Sequence, residues 1–241
     1  MTKAAAANRH EALSADTRDK ILDAAEVLFA ERGYSAVSTR NITDKAGVNV
    51  AAIFYHFGSK QAVLDEIFKR RLEPINRRRE AMLAECIGPD VENYSVADIL
   101  TAFIAPTLDL GTSSFKLLAG RTSTDPNPEV REVMFSVYDS VARSFFAALD
   151  KACPHLSKKE MFWRAACVYG AMMYIRADNS RLQYIFGDDF SLSNAEEAVR
   201  YAIPFLTAGM TSPPVDEPAG RLRKMPTKTA PSSNTKKRKG S

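Results

Sequence analysis

Between Thr39 and Lys60 the chain reads as two short helices joined at a single glycine, Gly47, and closed by an aromatic cluster, Phe54-Tyr55-His56-Phe57. Ile42, Ala46, Val48, Ile53 and Phe57 fall where a small helical bundle buries its core, so both helices are tied to one apolar centre. Thr39, Arg40, Tyr55 and Lys60 are left outside that centre, and core packing does not explain them. A short helix presented after a glycine turn is the geometry that carries side chains into the major groove of DNA.

The remaining pattern is helical almost throughout, and no segment alternates with period 2 long enough to be a strand. Asp16 can cap a helix running to about Arg32, with Ile21, Ala24, Ala25, Leu28 and Phe29 on one face, and Gly33 stops it in the left-handed conformation. Ser38 can cap the second helix, Asn49 the third and Ser59 a long fourth reaching about Glu85, in which Pro74 implies a kink or break. Ser95 to Asp98, Ser157 to Glu160 and Ser193 to Glu196 read as capping boxes. Asp125-Pro126-Asn127-Pro128 is a turn ahead of a helix to about Lys151. The expected fold is all-α with about nine helices and no internal repeat. The expected organisation is a disordered tail over 1–14, a helix-turn-helix unit over 15–60, a larger helical body over 61–210, and a disordered basic tail over 211–241, where Pro, Ser, Thr and Lys dominate and aromatics vanish.

Charge separates along the same divisions. Residues 1–80 carry a net +3, residues 81–212 a net −5 and residues 213–241 a net +6. A basic head on an acidic body suits a head that meets a polyanion. The run Lys236-Lys237-Arg238-Lys239 reads first as a solvated end. No apolar run approaches the roughly 18 residues a membrane helix needs, and the polar start has no signal-peptide core, so a cytoplasmic protein is expected. Cys86, Cys153 and Cys167 have no metal spacing and read as buried reduced thiols. The three histidines join no catalytic motif, and neither a phosphate loop nor a metal motif appears. Enzyme activity, cofactor and metal are therefore not expected.

In a helix-turn-helix the second helix crosses the DNA backbone and the start of the third meets base edges. Thr39 and Arg40 open the second helix, where a hydroxyl, a guanidinium and free backbone N–H groups can meet a phosphate, and Lys60 can do the same from the fourth. Tyr55 reaches a phosphate or base edge and His56 a backbone group. Val50, Ala51 and Ala52 are the base-facing positions. Small and apolar, they touch thymine methyls but cannot form bidentate hydrogen bonds, so selectivity rests on Arg40, Asn49, Tyr55 and DNA shape.

Residues 16 to 68 resemble the N-terminal domain of the TetR family of one-component bacterial regulators. The matching text is Ile21-Leu22-Asp23-Ala24-Ala25, Leu28-Phe29-Ala30-Glu31-Arg32-Gly33-Tyr34, Ser38-Thr39-Arg40 with Ile42, Ala46-Gly47-Val48, and Tyr55-His56-Phe57-Gly58-Ser59-Lys60. The resemblance implies an all-helical homodimer whose C-terminal domain binds a small molecule. It places Thr39, Arg40, Tyr55, His56 and Lys60 in the phosphate-contacting set and Val50 to Ala52 in the groove-facing set. Position 54, often tyrosine in the family, is Phe54, which removes one hydroxyl contact.

The body is rich in aromatic and methionine side chains. Most belong to the core, while an apolar tunnel between helices is a usual ligand site. Candidate ligand contacts are Phe103, Phe115, Phe135, Tyr138, Phe162, Trp163, Tyr169 and Met173, with Arg121 and Arg176 as charges set in apolar stretches that can meet a ligand anion or a protein carboxylate. Pro154-His155-Leu156-Ser157, Phe162-Trp163-Arg164 and Asn49-Val50-Ala51-Ala52-Ile53 are similar to a TetR subgroup that includes fatty-acid-sensing repressors, which implies a fatty acid or acyl-CoA effector. The resemblance also implies dimerisation through helices near 157–179 and 193–209, the first carrying small Ala165, Ala166, Gly170 and Ala171. The expected function is a repressor released from a palindromic operator by a hydrophobic effector. The alternative is a nonspecific or architectural DNA binder.

Overall fold

The computed structural model describes residues 3–88, 93–108, 111–177, 180–192 and 194–215, with side chains from Leu13 onward. These residues form ten helices and no strand: α1 Lys3–Arg32, α2 Thr39–Ala46, α3 Ala51–His56, α4 Lys60–Cys86, α5 Val96–Leu108, α6 Ser113–Thr122, α7 Pro128–Ala152, α8 Lys158–Ala177, α9 Arg181–Phe186 and α10 Ala195–Thr211.

Local chemistry sets most boundaries as the sequence predicts. Ser38 and Asn41 close a reciprocal capping box on α2, and Gly47 ends that helix at φ 67°, its N–H turned back to the carbonyls of Thr43 and Asp44. Ser59 caps α4 through the Ala62 N–H at 3.0 Å. Asn127 caps α7, with Pro128 as its first residue.

Several expectations need correction. α1 begins at Lys3, so the segment expected as a tail is helical; Ala4 to Ala7 are the strongest helix formers available. Asp16 lies inside that helix, paired with Lys20 one turn on. Pro74 does not break α4, which continues to Cys86. Pro74 is exposed, where water can satisfy the carbonyl its ring leaves unpaired. Thr112 caps α6 through the Phe115 N–H, a start the sequence reading did not mark. Ser193 lies outside the described residues, and Asn194 caps α10 through two backbone N–H groups. Cys153 is buried, but Cys86 is only half-buried and Cys167 is exposed.

The expected C-terminal tail needs a similar revision. Arg164 of α8 donates to the carbonyls of Gly209, Met210, Ser212 and Pro213 at 2.7 to 3.0 Å. It satisfies carbonyls that the end of α10 leaves without helical partners. The Val215 N–H donates to Glu160 at 2.7 Å. Residues 211–215 are therefore fastened, while the rest of that tail, 216–241, lies outside the described residues.

Two apolar clusters fill the molecule. The first joins α1, α2, α3 and the first half of α4 to Phe115 and Leu118 of α6 and to Val130, Val133 and Val137 of α7. The second joins Leu83 at the far end of α4 to α5, the second half of α7, α8 and α10. α4 thus enters both cores. At 27 residues it is a rod of about 40 Å.

Candidate DNA-binding surface and ligand cavity

Capping and core packing together fix the head. Ile42 and Ile53 are fully buried, and Ala46, Val48, Ala52 and Phe57 pack against the same cluster. Once those positions face inward, Arg40, Asn49, Val50, Ala51, Phe54 and Tyr55 face solvent. Tyr55 is 76% exposed and meets His56 edge-on at 4.9 Å. The Arg40 side chain is 83% exposed, with Asp44 at 3.9 Å as its nearest carboxylate. Such a pair is worth little in water, so the guanidinium is available to another anion. Ala52 and Thr39 are half-buried.

Two of the nine candidate residues are committed elsewhere. The Asn49 side-chain oxygen accepts the Ala51 N–H at 2.9 Å, leaving only its amide NH₂ free to donate. The Lys60 ammonium donates to the carbonyls of Tyr34 and Val37 at 3.1 and 3.0 Å and lies 4.0 Å from the Tyr34 ring centre. Lys60 therefore closes the α1–α2 loop onto the start of α4, with at most one donor left over. Burial lowers its pKa, against the pull of Glu129.

A cavity of about 950 Å³ opens between α4, α5, α6, α7 and α8. Six of the ten predicted ligand contacts line it: Phe103, Phe135, Tyr138, Tyr169, Met173 and Arg176. The other four do not. Phe115 is fully buried and packs on Phe68 with ring centres 5.2 Å apart, joining head to body. Arg121 is exposed outside the lining. Phe162 and Trp163 meet edge to face, ring centres 5.6 Å apart, and both are exposed on α8. Both were expected as ligand contacts, but the described residues bury only the face of α8 that carries Met161, Ala165, Val168 and Met172.

The sequence reading missed Arg79 altogether. It is 1% exposed. Its Nε donates to the Phe103 carbonyl at 2.8 Å, one Nη donates to Asn76 at 3.2 Å, and the other lies 3.9 Å from the Met172 sulfur. The Phe103 ring lies beneath it, 4.6 Å to the centre. Burial lowers its pKa to about 10, with Arg176 pushing the same way and Tyr138 and Tyr169 opposing. The signal was present: Leu72, Ile75, Arg79 and Leu83 fall on one helical stripe, whereas Arg77 and Arg78 do not.

A second hollow, about 620 Å³, lies between α8, α9 and α10. Tyr174, Phe186, Phe190, Tyr201 and Phe205 line it, and all five are exposed. Phe162 and Trp163 of α8 add further exposed apolar groups among the described residues.

An exposed helix-turn-helix on an all-helical, cavity-bearing body is an architecture suited to a DNA-binding transcriptional regulator. Two sequence profiles match this chain: "Bacterial regulatory proteins, tetR family" over residues 21–67 and "Tetracyclin repressor-like, C-terminal domain" over residues 101–209. The chain belongs to the TetR family. The HTH-type transcriptional repressor KstR2 of Rhodococcus jostii is 27% identical over 181 residues, covering 70% of this chain and 87% of that protein. Among solved structures, the fatty acid degradation regulator FadR from Bacillus halodurans has a TM-score of 0.60 at 17% identity, covering 80% of this chain and 95% of its own. FadR from Bacillus subtilis in complex with stearoyl-CoA has a TM-score of 0.55 at 18% identity, covering 79% and 97%. At these identities the structures speak for the fold. No helix among the described residues is long and apolar enough to cross a membrane.

Proposed function

We propose that this chain is a cytoplasmic, ligand-released repressor that grips a palindromic operator as a homodimer. The observation that carries this reading is the position of α4. One end packs the head through Val63, Leu64, Ile67 and Phe68, and the other lends Arg79 to the cavity wall. A ligand that binds one setting of this helix better than another shifts the population of head positions, and operator affinity changes with it.

At the operator, Thr39, Arg40 and Tyr55 take phosphates, and His56 reaches a backbone group. Val50 and Ala51 enter the groove, with Ala52 behind them. The Asn49 amide donates, and Lys60 acts mainly by holding the loop beneath them. Two copies pair through the uncovered faces of α8 and α10, which buries Phe162, Trp163, Tyr201 and Phe205 in a four-helix contact. The effector is small and hydrophobic, a fatty acid or an acyl-CoA. The aromatic lining of the cavity supports this class, as do the two fatty-acid regulators of like fold.

The test is an anisotropy titration of duplex from the chain's own upstream region against random duplex, with and without oleate and oleoyl-CoA. Selective binding relieved by either lipid is the expected result. Equal binding to both duplexes would overturn the repressor reading in favour of a nonspecific binder.

A further inference from the structure

Charge in the large cavity is unevenly matched. Arg79 is buried with only carbonyl, amide and thioether neighbours, and the Arg176 Nε is buried with no hydrogen-bond partner. Among the described residues neither forms an ion pair. The two carboxylates of the lining are engaged elsewhere: Asp139 is exposed and pairs with Arg143 at 3.1 Å, and Asp125 accepts the Asn127 N–H at 2.9 Å. A guanidinium withdrawn from water without a counter-anion is costly, and a second one nearby adds repulsion. Arg176 lies close enough to Arg79 to depress its pKa. Apolar groups line the rest of the wall, and Phe135, 54% exposed, marks the side open to solvent.

We infer that the cavity takes an amphipathic organic acid head-inward, its free carboxylate seated on Arg79 and Arg176 and its apolar body running past Tyr169 and Met173 toward Phe135. The inference rests on the ligand-responsive reading above and narrows its effector class to free acids. A planar guanidinium fork matches a carboxylate with two parallel hydrogen bonds. A fatty acyl thioester has no free carboxylate for the inner seat. Because Arg79 belongs to α4 and Arg176 to α8, the bound anion ties the helix that reaches the head to the helix that faces the dimer partner.

The experiment is calorimetric titration of the full-length, DNA-free protein with oleate, dodecanoate, oleyl alcohol and oleoyl-CoA, each below its micellar concentration. The acids are expected to bind about tenfold or more tightly than the alcohol, the loss associated with a charge-assisted hydrogen bond. Arg176→Met is expected to narrow the preference for acid over alcohol, weakening the acids several-fold more than the alcohol. Arg79→Lys, which keeps the buried charge but not the fork, should weaken the acids without changing the unfolding midpoint by more than a few degrees. Equal affinity for acid and alcohol, binding of neither acid, or tight binding of oleoyl-CoA alone would overturn the inference. DNA is absent, so these outcomes are independent of operator recognition.

Discussion

Glu26 of α1 grips Arg71 of α4 with both carboxylate oxygens, Nε to Oε2 at 2.8 Å and Nη2 to Oε1 at 3.1 Å. The Glu26 side chain is 3% exposed. Arg70 approaches the same carboxylate at 3.4 Å, and the hydroxyls of Thr112 and Ser114 donate to Oε1 at 2.8 and 3.2 Å. One buried carboxylate therefore joins the first helix of the head, the long α4 and the start of α6. The other end of α6 supplies Ala119, Gly120 and Thr122 to the cavity wall.

Removing Glu26 deprives Arg71 of its carboxylate partner and leaves the Thr112 and Ser114 hydroxyls without their acceptor, while Arg70 keeps Asp23 at 2.8 Å. Glu26→Ala is expected to lower stability by about 3–5 kcal/mol, the usual cost of breaking a buried pair from one side. Urea unfolding followed by circular dichroism measures it. A loss below about 1 kcal/mol would mean that the pair merely breaks even.

The same site sets an acid dependence. Burial raises the Glu26 pKa, but hydrogen bonds from Arg71 and Thr112 and the charges of Arg71 and Arg70 outweigh it, leaving the carboxyl below its ordinary 4.5. A carboxyl depressed by folding stabilises above its unfolded pKa and loses that contribution as pH falls through the folded one. Glu26 therefore contributes fully at neutral pH, and its contribution declines only below about 4.5. Unfolding titrations between pH 7 and pH 3 should show a shallower acid decline in Glu26→Gln than in the parent. Parallel profiles would contradict this role.

Arg40 and Lys60 should separate cleanly although both were predicted to hold phosphates. Arg40→Ala removes an exposed charge. It should leave the melting temperature unchanged, weaken operator binding and reduce the salt slope of log K by about one per subunit. Lys60→Met leaves the Tyr34 and Val37 carbonyls without their charged donor. It should cost about 1–3 kcal/mol of stability, with a smaller change in salt slope. Salt-series anisotropy and thermal melts distinguish the two.

The outward face of α10 provides a test of assembly. Phe205 is 77% exposed in one chain. Phe205→Glu is expected to give folded monomer in analytical ultracentrifugation, with operator affinity falling because two heads no longer bind together. A variant that remains dimeric would place the interface on another surface.

The head was legible in the sequence because its determinants are local. Ser38, Gly47 and Ser59 act within a few residues of themselves, and Ile42 and Ile53 can face only inward. The cavity was legible only in part, because helical spacing tells which side chains share a stripe but not what covers it. Phe103 and Phe115 looked alike in sequence, yet one lines the cavity and the other joins α6 to Phe68. Phe162 and Trp163 were expected at the ligand site because they are large and apolar, but they lie exposed on α8. Arg79 was hidden in the run Arg77-Arg78-Arg79, where two exposed neighbours made a buried guanidinium look like a solvated one. Lys60 opens α4 as its sequence position indicated, but its carbonyl partners, 23 and 26 residues away, were not foreseeable from spacing.

Coupling between cavity and head is the central claim, and thermodynamic reciprocity tests it most directly. Operator affinity is measured with and without saturating oleate, and oleate affinity with and without saturating operator, in one buffer at one salt concentration. The account predicts that oleate weakens operator binding and that the operator weakens oleate binding by the same factor. Operator affinity unchanged at saturating oleate would contradict it.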